Sequence, residues 1–289
     1  MKTWPDYIAQ VRFDQPWELP VIHVIYSIED LNLQNERYVF TDFDLSPGLG
    51  NEMFQYASIL AAALDHNAKV IMPMRCSLRR AFDLDAVFVT SEVANSLLGI
   101  YGPQTRAEAQ AAIKKVFTFL PGIRELAKKE FDSAMAERKK HLQTTASITT
   151  VGVHIRHGVD IVKISSNYNH GHATADRKYF LHAMNYFRKK YGTVLFIVAS
   201  DDMKWAKENL FSNETGEIHF LPSKYREVDF ATLAMCQHTI ASTGTFSWWI
   251  SYITGGEVTY YARWPREKSV LSTYVNKTDF FPPNWIPMV

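Results

Sequence analysis

Four short segments of this chain carry residues whose type and spacing suit chemistry on a phosphate-bearing ligand. The first is Val151-Gly152-Val153-His154-Ile155-Arg156. Val151, Val153 and Ile155 read as the buried side of a β-strand, and His154 and Arg156 share the other face because strand side chains repeat every two residues. Gly158 then breaks the strand where open α/β sheets collect ligands, beyond the carboxyl ends of their strands. An Arg guanidinium held there offers a phosphate a planar fork of donors. A surface Arg paired with a nearby carboxylate is the plainer alternative. The second segment is Gly48-Leu49-Gly50-Asn51, which opens a helix whose backbone N–H groups can face an anion or a sugar. The plainer alternative there is a tight strand–helix turn without a ligand.

The remaining two lie further along. Asp229-Phe230 sits at a helix start, and Ser242-Thr243-Gly244-Thr245-Phe246 joins a strand to a helix. Hydroxyls and N–H groups at such a turn suit a diphosphate or a nucleoside, and an Asp carboxylate complements the N1–H and N2–H₂ donors of guanine. Helix capping is what Ser, Thr and Asp ordinarily do there, and it is compatible with ligand contact. Three metal look-alikes are discounted: Asp42-Phe43-Asp44 and Asp83-Leu84-Asp85, which mimic a divalent-ion pair, and His170-Gly171-His172, which lacks further ligands nearby. Asp201-Asp202 reads as a helix start, with either residue as its cap. His238 and Trp248-Trp249 read as core or wall residues.

The elements that must position these groups alternate from about Thr149 onward. A loop over 167–175 follows the first strand, then a helix over 177–190 with Tyr179, Phe180, Ala183, Met184 and Phe187 at helical spacing. The apolar run Val194 to Val198 reads as a strand covered on both faces. Helices to Leu210, over 230–236 and over 246–253 follow, with strands at 238–242 and, as the last of the chain, 258–261. This alternation predicts a parallel sheet with right-handed crossovers. Earlier, a strand at 38–41, the glycine turn, a helix through Leu64 and the strand 69–72 form another βαβ unit. Charged helices over 106–117 and 123–142 lead to Gln143-Thr144-Thr145. The expected division is 1–146 and 147–289, two Rossmann-like α/β layers facing across a cleft.

The chain has 289 residues, 47% hydrophobic and 21% charged, with a net charge of +1. That suits a folded globular protein and gives nucleic-acid binding no support. Cys76 and Cys236 are too few and too distant for a disulfide scaffold or a zinc site; two free buried thiols are expected, with one long-range bridge as the alternative. No apolar run approaches the ~20 residues needed to cross a bilayer, so membrane association would need an anchor this chain does not contain. Asn213 and Asn276 lie in Asn-x-Thr triplets, which a secretory protein can glycosylate.

Together these segments resemble the galactoside α-1,2-fucosyltransferases. Gly48-Leu49-Gly50-Asn51-Glu52-Met53-Phe54-Gln55-Tyr56-Ala57 is similar to the family's Gly-Leu-Gly-Asn-Gln-Met-Phe-Gln-Tyr-Ala, and 151–156 to its Val-Gly-Val-His-Val-Arg. The run from Asp229 through Thr243-Gly244-Thr245-Phe246-Ser247-Trp248-Trp249 to Gly255-Gly256, and the finish Phe281-Pro282-Pro283-Asn284-Trp285, extend the likeness over roughly 41–285. The resemblance implies a GT-B fold and inverting transfer of fucose from GDP-β-L-fucose, as donor substrate, to the 2-hydroxyl of a terminal β-galactoside on a glycan. It also implies no metal or other cofactor and a Golgi location on a membrane anchor. It puts Arg156 on the diphosphate, His154 and Asp229 on the nucleoside side, and 242–246 in the donor pocket, with the first unit on the acceptor side. Where the family has Arg-Arg-Gly-Asp, this chain has Arg156-His157-Gly158-Val159-Asp160, so His157 stands for a second phosphate-binding Arg and Asp is displaced. Asp160 and Glu52, which flank the two glycine turns, are the candidate proton acceptors. A binding module that holds a GDP-sugar or glycan without turnover is the alternative.

Overall fold

The computed structural model describes residues 15–43, 48–101, 116–142, 147–158, 165–210 and 216–289. It divides into two compact units, Met1–Ile123 and Arg124–Val289. In the first unit, β1 (Val24–Ile25), β2 (Tyr38–Val39), β3 (Lys69–Pro73), and β5 (Val87–Val89) form a parallel sheet in the order β1-β5-β3-β2. Two short strands, β4 (Phe82–Asp83) and β6 (Thr118–Phe119), pair antiparallel beside it. The helix Leu49–Asp65 connects β2 to β3 as the sequence pattern predicts, burying Met53, Tyr56, Ala57, Ile59 and Ala61. β5 and the helix Ser91–Tyr101 were not expected. β5 is only three residues long, too short for an alternating pattern to register.

The second unit carries β7 (Thr149–Ile155), β8 (Val194–Ser200), β9 (Ile218–Phe220), β10 (His238–Ala241), β11 (Val258–Tyr261) and β12 (Ile286–Met288) in one parallel sheet, ordered β12-β11-β10-β7-β8-β9. The chain winds outward from β7 to β9, then returns to the other side of β7 for β10 to β12. The order therefore reverses between β7 and β10, the topological switch point where such sheets leave a crevice for ligands. β12 rather than β11 is the last strand; its Pro287 is tolerated because β12 lies at the sheet edge, where a missing N–H breaks no ladder.

β7 and β8 are buried along nearly their whole length, as strands sandwiched between helix layers must be. One face holds Val151, Val153, Ile155, Phe196 and Val198 against Tyr179, Phe180, Ala183, Met184 and Phe187 of the helix Arg177–Tyr191. The other is covered from the helices Arg226–Ala234 and Gly244–Thr254. Gly152 decides how closely the first of these approaches: a Cβ there would lie 3.1 Å from the Leu233 carbonyl oxygen and 3.5 Å from Cys236 Sγ. A side chain there would press on that helix's backbone, so the glycine lets the helix, and Asp229 on it, sit close to β7.

The polar stretch 143–145, where the sequence suggests a division, lies outside the described residues. The units part instead at 123/124, in the first turn of the helix Pro121–Leu142. From Arg124 onward that helix travels with the second unit. Arg138 Nε donates to the Val194 carbonyl at 3.0 Å, and Glu137 meets His219 Nδ1 at 2.7 Å. The expected helix over 106–117 falls almost wholly outside the described residues. The loop expected over 167–175 begins instead as a short helix, Ser165–His170. Cys76 and Cys236 are buried thiols outside any disulfide, and among the described residues no helix is long and apolar enough to cross a membrane.

Candidate functional site

The site is built on the carboxyl ends of β7 and β10, where His154 is registered against Ala241. Beyond Ala241 the chain turns through Ser242 and Thr243 into the helix Gly244–Thr254. Ser242 Oγ accepts from the Arg156 backbone N–H at 2.9 Å and lies 3.1 Å from Ser247 Oγ. His154 Nδ1 lies 2.5 Å from the same Ser247 Oγ. A buried Ser–Ser–His relay thus ties the two strand ends together and fixes where Arg156 leaves the sheet. Burial pushes the His154 pKa down to about 4; Asp201 opposes the shift and Arg156 adds to it. The imidazole is therefore neutral near pH 7, and its part is positioning rather than charge.

Arg156 itself is 30% exposed at its side chain and pairs with Asp201 Oδ2. Asp201 Oδ1 accepts the His157 backbone N–H at 2.7 Å. His157 Nδ1 lies 3.0 Å from Asp202 Oδ2, and its ring stacks on Trp205 at 4.4 Å between centroids. Asp202 caps the helix Met203–Asn209 through the Trp205 N–H, and that bond, then His157, holds its carboxyl below the usual range. The plainer reading of Arg156, an ion pair with a neighbouring carboxylate, is thus present in the structure. Sequence reasoning treated Asp201-Asp202 only as a helix start and missed this partnership. The signal lies in the register: Ile155 pairs with Ser200 on β8, so the residues that follow each strand meet at the same edge.

Asp229 is 9% exposed on the helix Arg226–Ala234, inside its first turn rather than at its cap, which is Tyr225. Burial raises its carboxyl to about 7, with Glu130 and Glu227 adding and Ser223 opposing. The next residue, Phe230, meets Phe246 edge-on at 5.0 Å, and Phe246 lies 4.8 Å from the His154 ring. Two aromatic contacts thus connect the Asp229 helix to the strand-end relay. Thr245 and Phe246 stand half-buried in the first turn of their helix.

The groups of the first unit form a separate arrangement. Gly48, with φ 119°, precedes the helix that contains Gly50, Asn51 and Glu52. Glu52 is 7% exposed, and its Oε2 accepts from Ser77 Oγ at 2.7 Å and from Cys76 Sγ at 3.4 Å. Its carboxylate therefore holds the 3₁₀ turn Ser77–Arg80. Asp160, the other candidate proton acceptor, lies outside the described residues, as do Asp44 and Asn213. Asn276 is exposed and caps the short helix Lys277–Phe280 through the Thr278 N–H. Asp83 and Asp85 are exposed around the end of β4, and the rings of His170 and His172 are 5.8 Å apart. Among the described residues no three His, Cys, Asp or Glu side chains gather to hold a metal ion. His238 Nδ1 accepts the Glu257 N–H at 3.0 Å and its ring stacks on Tyr191, while Trp249 is 1% exposed. Both are scaffold.

Residues 110–288 match the model of glycosyl transferase family 11. The chain is 29% identical over 271 residues to galactoside alpha-(1,2)-fucosyltransferase 1 of Mus musculus, covering 84% of this chain and 71% of that protein. It is 29% identical over 304 residues to galactoside alpha-(1,2)-fucosyltransferase 2 of Hylobates lar, covering 93% and 85%. Among solved structures, POFUT1 in complex with GDP superimposes with a TM-score of 0.50 at 13% identity, over 78% of this chain and 98% of that one. POFUT1 in complex with GDP-fucose gives 0.50 at 13%, over 76% and 94%. At that identity the likeness is one of fold, the GT-B architecture of paired parallel-sheet α/β units.

Proposed function

Because this chain belongs to glycosyl transferase family 11, we propose that it transfers L-fucose from GDP-β-L-fucose to the 2-hydroxyl of a terminal β-galactoside on a glycan, with inversion at the anomeric carbon. The observation that carries this reading is Arg156 at the β7/β10 switch point, beside the N-terminus of the helix Gly244–Thr254. As the bond from fucose C1 to the diphosphate oxygen breaks, negative charge grows on GDP and the sugar takes on oxocarbenium character. The Arg156 guanidinium and the helix N-terminus oppose that growing charge in the place a metal ion would take. A guanidinium carries five donors, enough to serve Asp201 and a phosphate together. Asp201 then acts as the group that aims the fork, and His157 supports the same edge through Asp202 and Trp205.

Asp229 takes the guanine edge in this reading, as a carboxylate accepting from N1–H and N2–H₂. Thr243, Thr245 and Phe246 line the donor side of the second unit, and the turn at Gly48, Gly50 and Asn51 in the first unit faces the acceptor. The acceptor hydroxyl attacks C1 and passes its proton to a carboxylate. Glu52 already serves the 76–80 turn, which leaves Asp160 the better candidate for that base. The reading places the protein in the Golgi lumen, with its named relatives' galactoside acceptors as its substrate class. The test is GDP release from GDP-fucose with and without a β-galactoside. Release that depends on the acceptor supports transfer. Tight donor binding without acceptor-dependent release would point instead to a binding module.

A further inference from the structure

We propose that Thr243 and Trp264 form a subsite for one oxygen atom of the donor, on the sugar or diphosphate portion of the GDP-sugar; this rests on the donor reading above. Thr243 Oγ1 and Trp264 Nε1 are both buried side-chain atoms with no hydrogen-bond partner among the described residues, and their residues are 4% and 6% exposed. Buried polar groups in folded proteins are almost always paired, so two unpaired ones need an explanation. Thr243 and Trp264 line a single recess of about 10 Å³, together with Ser242, Gly244, Trp248 and Phe281.

Three further observations give the recess its chemistry. Thr243 is the N-cap of the helix Gly244–Thr254, yet its hydroxyl makes no cap bond to that helix. A Thr at this position ordinarily spends its oxygen on the first turn. Gly244, the first helical residue, has φ +85° and nothing within 4 Å of where a Cβ would stand. The backbone there is accessible, and a side-chain-bearing residue would be strained in that conformation. Finally, the volume admits about one oxygen-sized atom. An indole N–H can only donate, and the helix N-terminus favours negative charge, so the guest must be a hydrogen-bond acceptor. A sugar hydroxyl or a phosphate oxygen has that chemistry. The aromatic walls exclude bulk water and strengthen the bonds made inside.

Trp264→Phe removes the N–H while keeping an aromatic ring, and Thr243→Val removes the hydroxyl at nearly constant shape. Binding of GDP-fucose, GDP and GMP to the full chain is measured by calorimetry, with the thermal midpoint of each variant alongside. Each variant is expected to weaken GDP-fucose about fivefold, the loss of one net hydrogen bond. Thr243→Val should do so at an unchanged midpoint, because its hydroxyl has no protein partner to lose, whereas Trp264→Phe also shrinks a core ring packed on Phe280 and Phe281 and lowers the midpoint. If GDP keeps its affinity, the oxygen belongs to the sugar; if GDP weakens too and GMP does not, it belongs to the diphosphate. Unchanged affinities for all three ligands in both variants would overturn the subsite and leave the recess to a water molecule. Wild-type protein that fails to bind GDP-fucose at all would overturn the donor reading itself. Should Trp264→Phe fold poorly, Thr243→Val carries the test alone.

Discussion

Asp229 yields the sharpest quantitative test, because its carboxyl titrates at about 7 in the free protein. A carboxylate can accept from guanine N1–H and N2–H₂ only when it is deprotonated. Below pH 7 the donor must therefore expel a proton to bind, and the apparent Kd rises by the factor 1 + 10^(7 − pH). That factor is about 11 at pH 6 and about 1.1 at pH 8, so GDP-fucose should bind about tenfold more tightly at the higher pH, or ~1.4 kcal/mol. GDP-fucose is the right ligand because its diester phosphates do not titrate in this range. His154, pushed down to about 4, stays neutral throughout and adds no slope. Calorimetry in buffers of different ionisation enthalpy should also show close to one proton released at pH 6 and almost none at pH 8. Asp229→Asn should abolish both the slope and the proton release, and weaken binding at pH 8 by one to two orders of magnitude. A flat affinity in the wild type, or the same slope in Asp229→Asn, would refute the assignment. Stability supplies an independent arm. The unfolded carboxyl titrates near 3.8 and the folded one near 7, so the folded state holds the extra proton between those values. Stability contributed by this group is therefore present at low pH and lost as pH rises through that window, by a few kcal/mol at most. Asp229→Asn should melt higher than the wild type at pH 8, with the difference closing toward pH 4.

Arg156→Ala should remove most transfer activity, by one to two orders of magnitude in rate for ~1.5–3 kcal/mol of lost charge-assisted bonding, while circular dichroism stays native; near-native turnover would rule out the clamp. Activity should survive EDTA, and a loss on chelation restored by manganese or magnesium would show that a metal does the work given to Arg156. Glu52→Ala should cost ~1–3 kcal/mol in chemical denaturation by stranding Ser77 and Cys76, whereas Glu52→Gln should keep kcat. A kcat collapse in Glu52→Gln would make Glu52, not Asp160, the proton acceptor. His157→Ala should lower the thermal midpoint by releasing Asp202 and the Trp205 stack, and an unchanged midpoint would remove His157 from the support of Arg156.

Much of this protein is legible in its sequence, because much of it follows from local rules. The period-two pattern of Val151, Val153 and Ile155 and the continuous apolar run at 194–198 announce buried strands. The spacing of Tyr179, Phe180, Ala183, Met184 and Phe187 announces a helix face, and the bounds Val258–Tyr261 are found as expected. These signals work because burial on one face and backbone geometry are decided within a few residues. Short strands without a period, β5, β9 and β12, escape the same reading. Their assignment rests on pairing partners far along the chain.

The candidate site divides in the same way. Arg156, His154, Ser242 and Asp229 could be singled out from residue type and position alone. What each does in the free protein was decided by neighbours 45 to 93 residues distant: Asp201 on Arg156, Ser247 on His154. The parallel register of β7 with β8 and β10 brings those groups to one edge, and no local pattern encodes which strand lies beside which. Burial then sets their charge, neutralising His154 and raising Asp229, because desolvation depends on everything packed around a group. From the sequence by itself come the elements and the chemical repertoire. The order of the sheet, which only the tertiary structure supplies, determines which of those groups meet and in what protonation state.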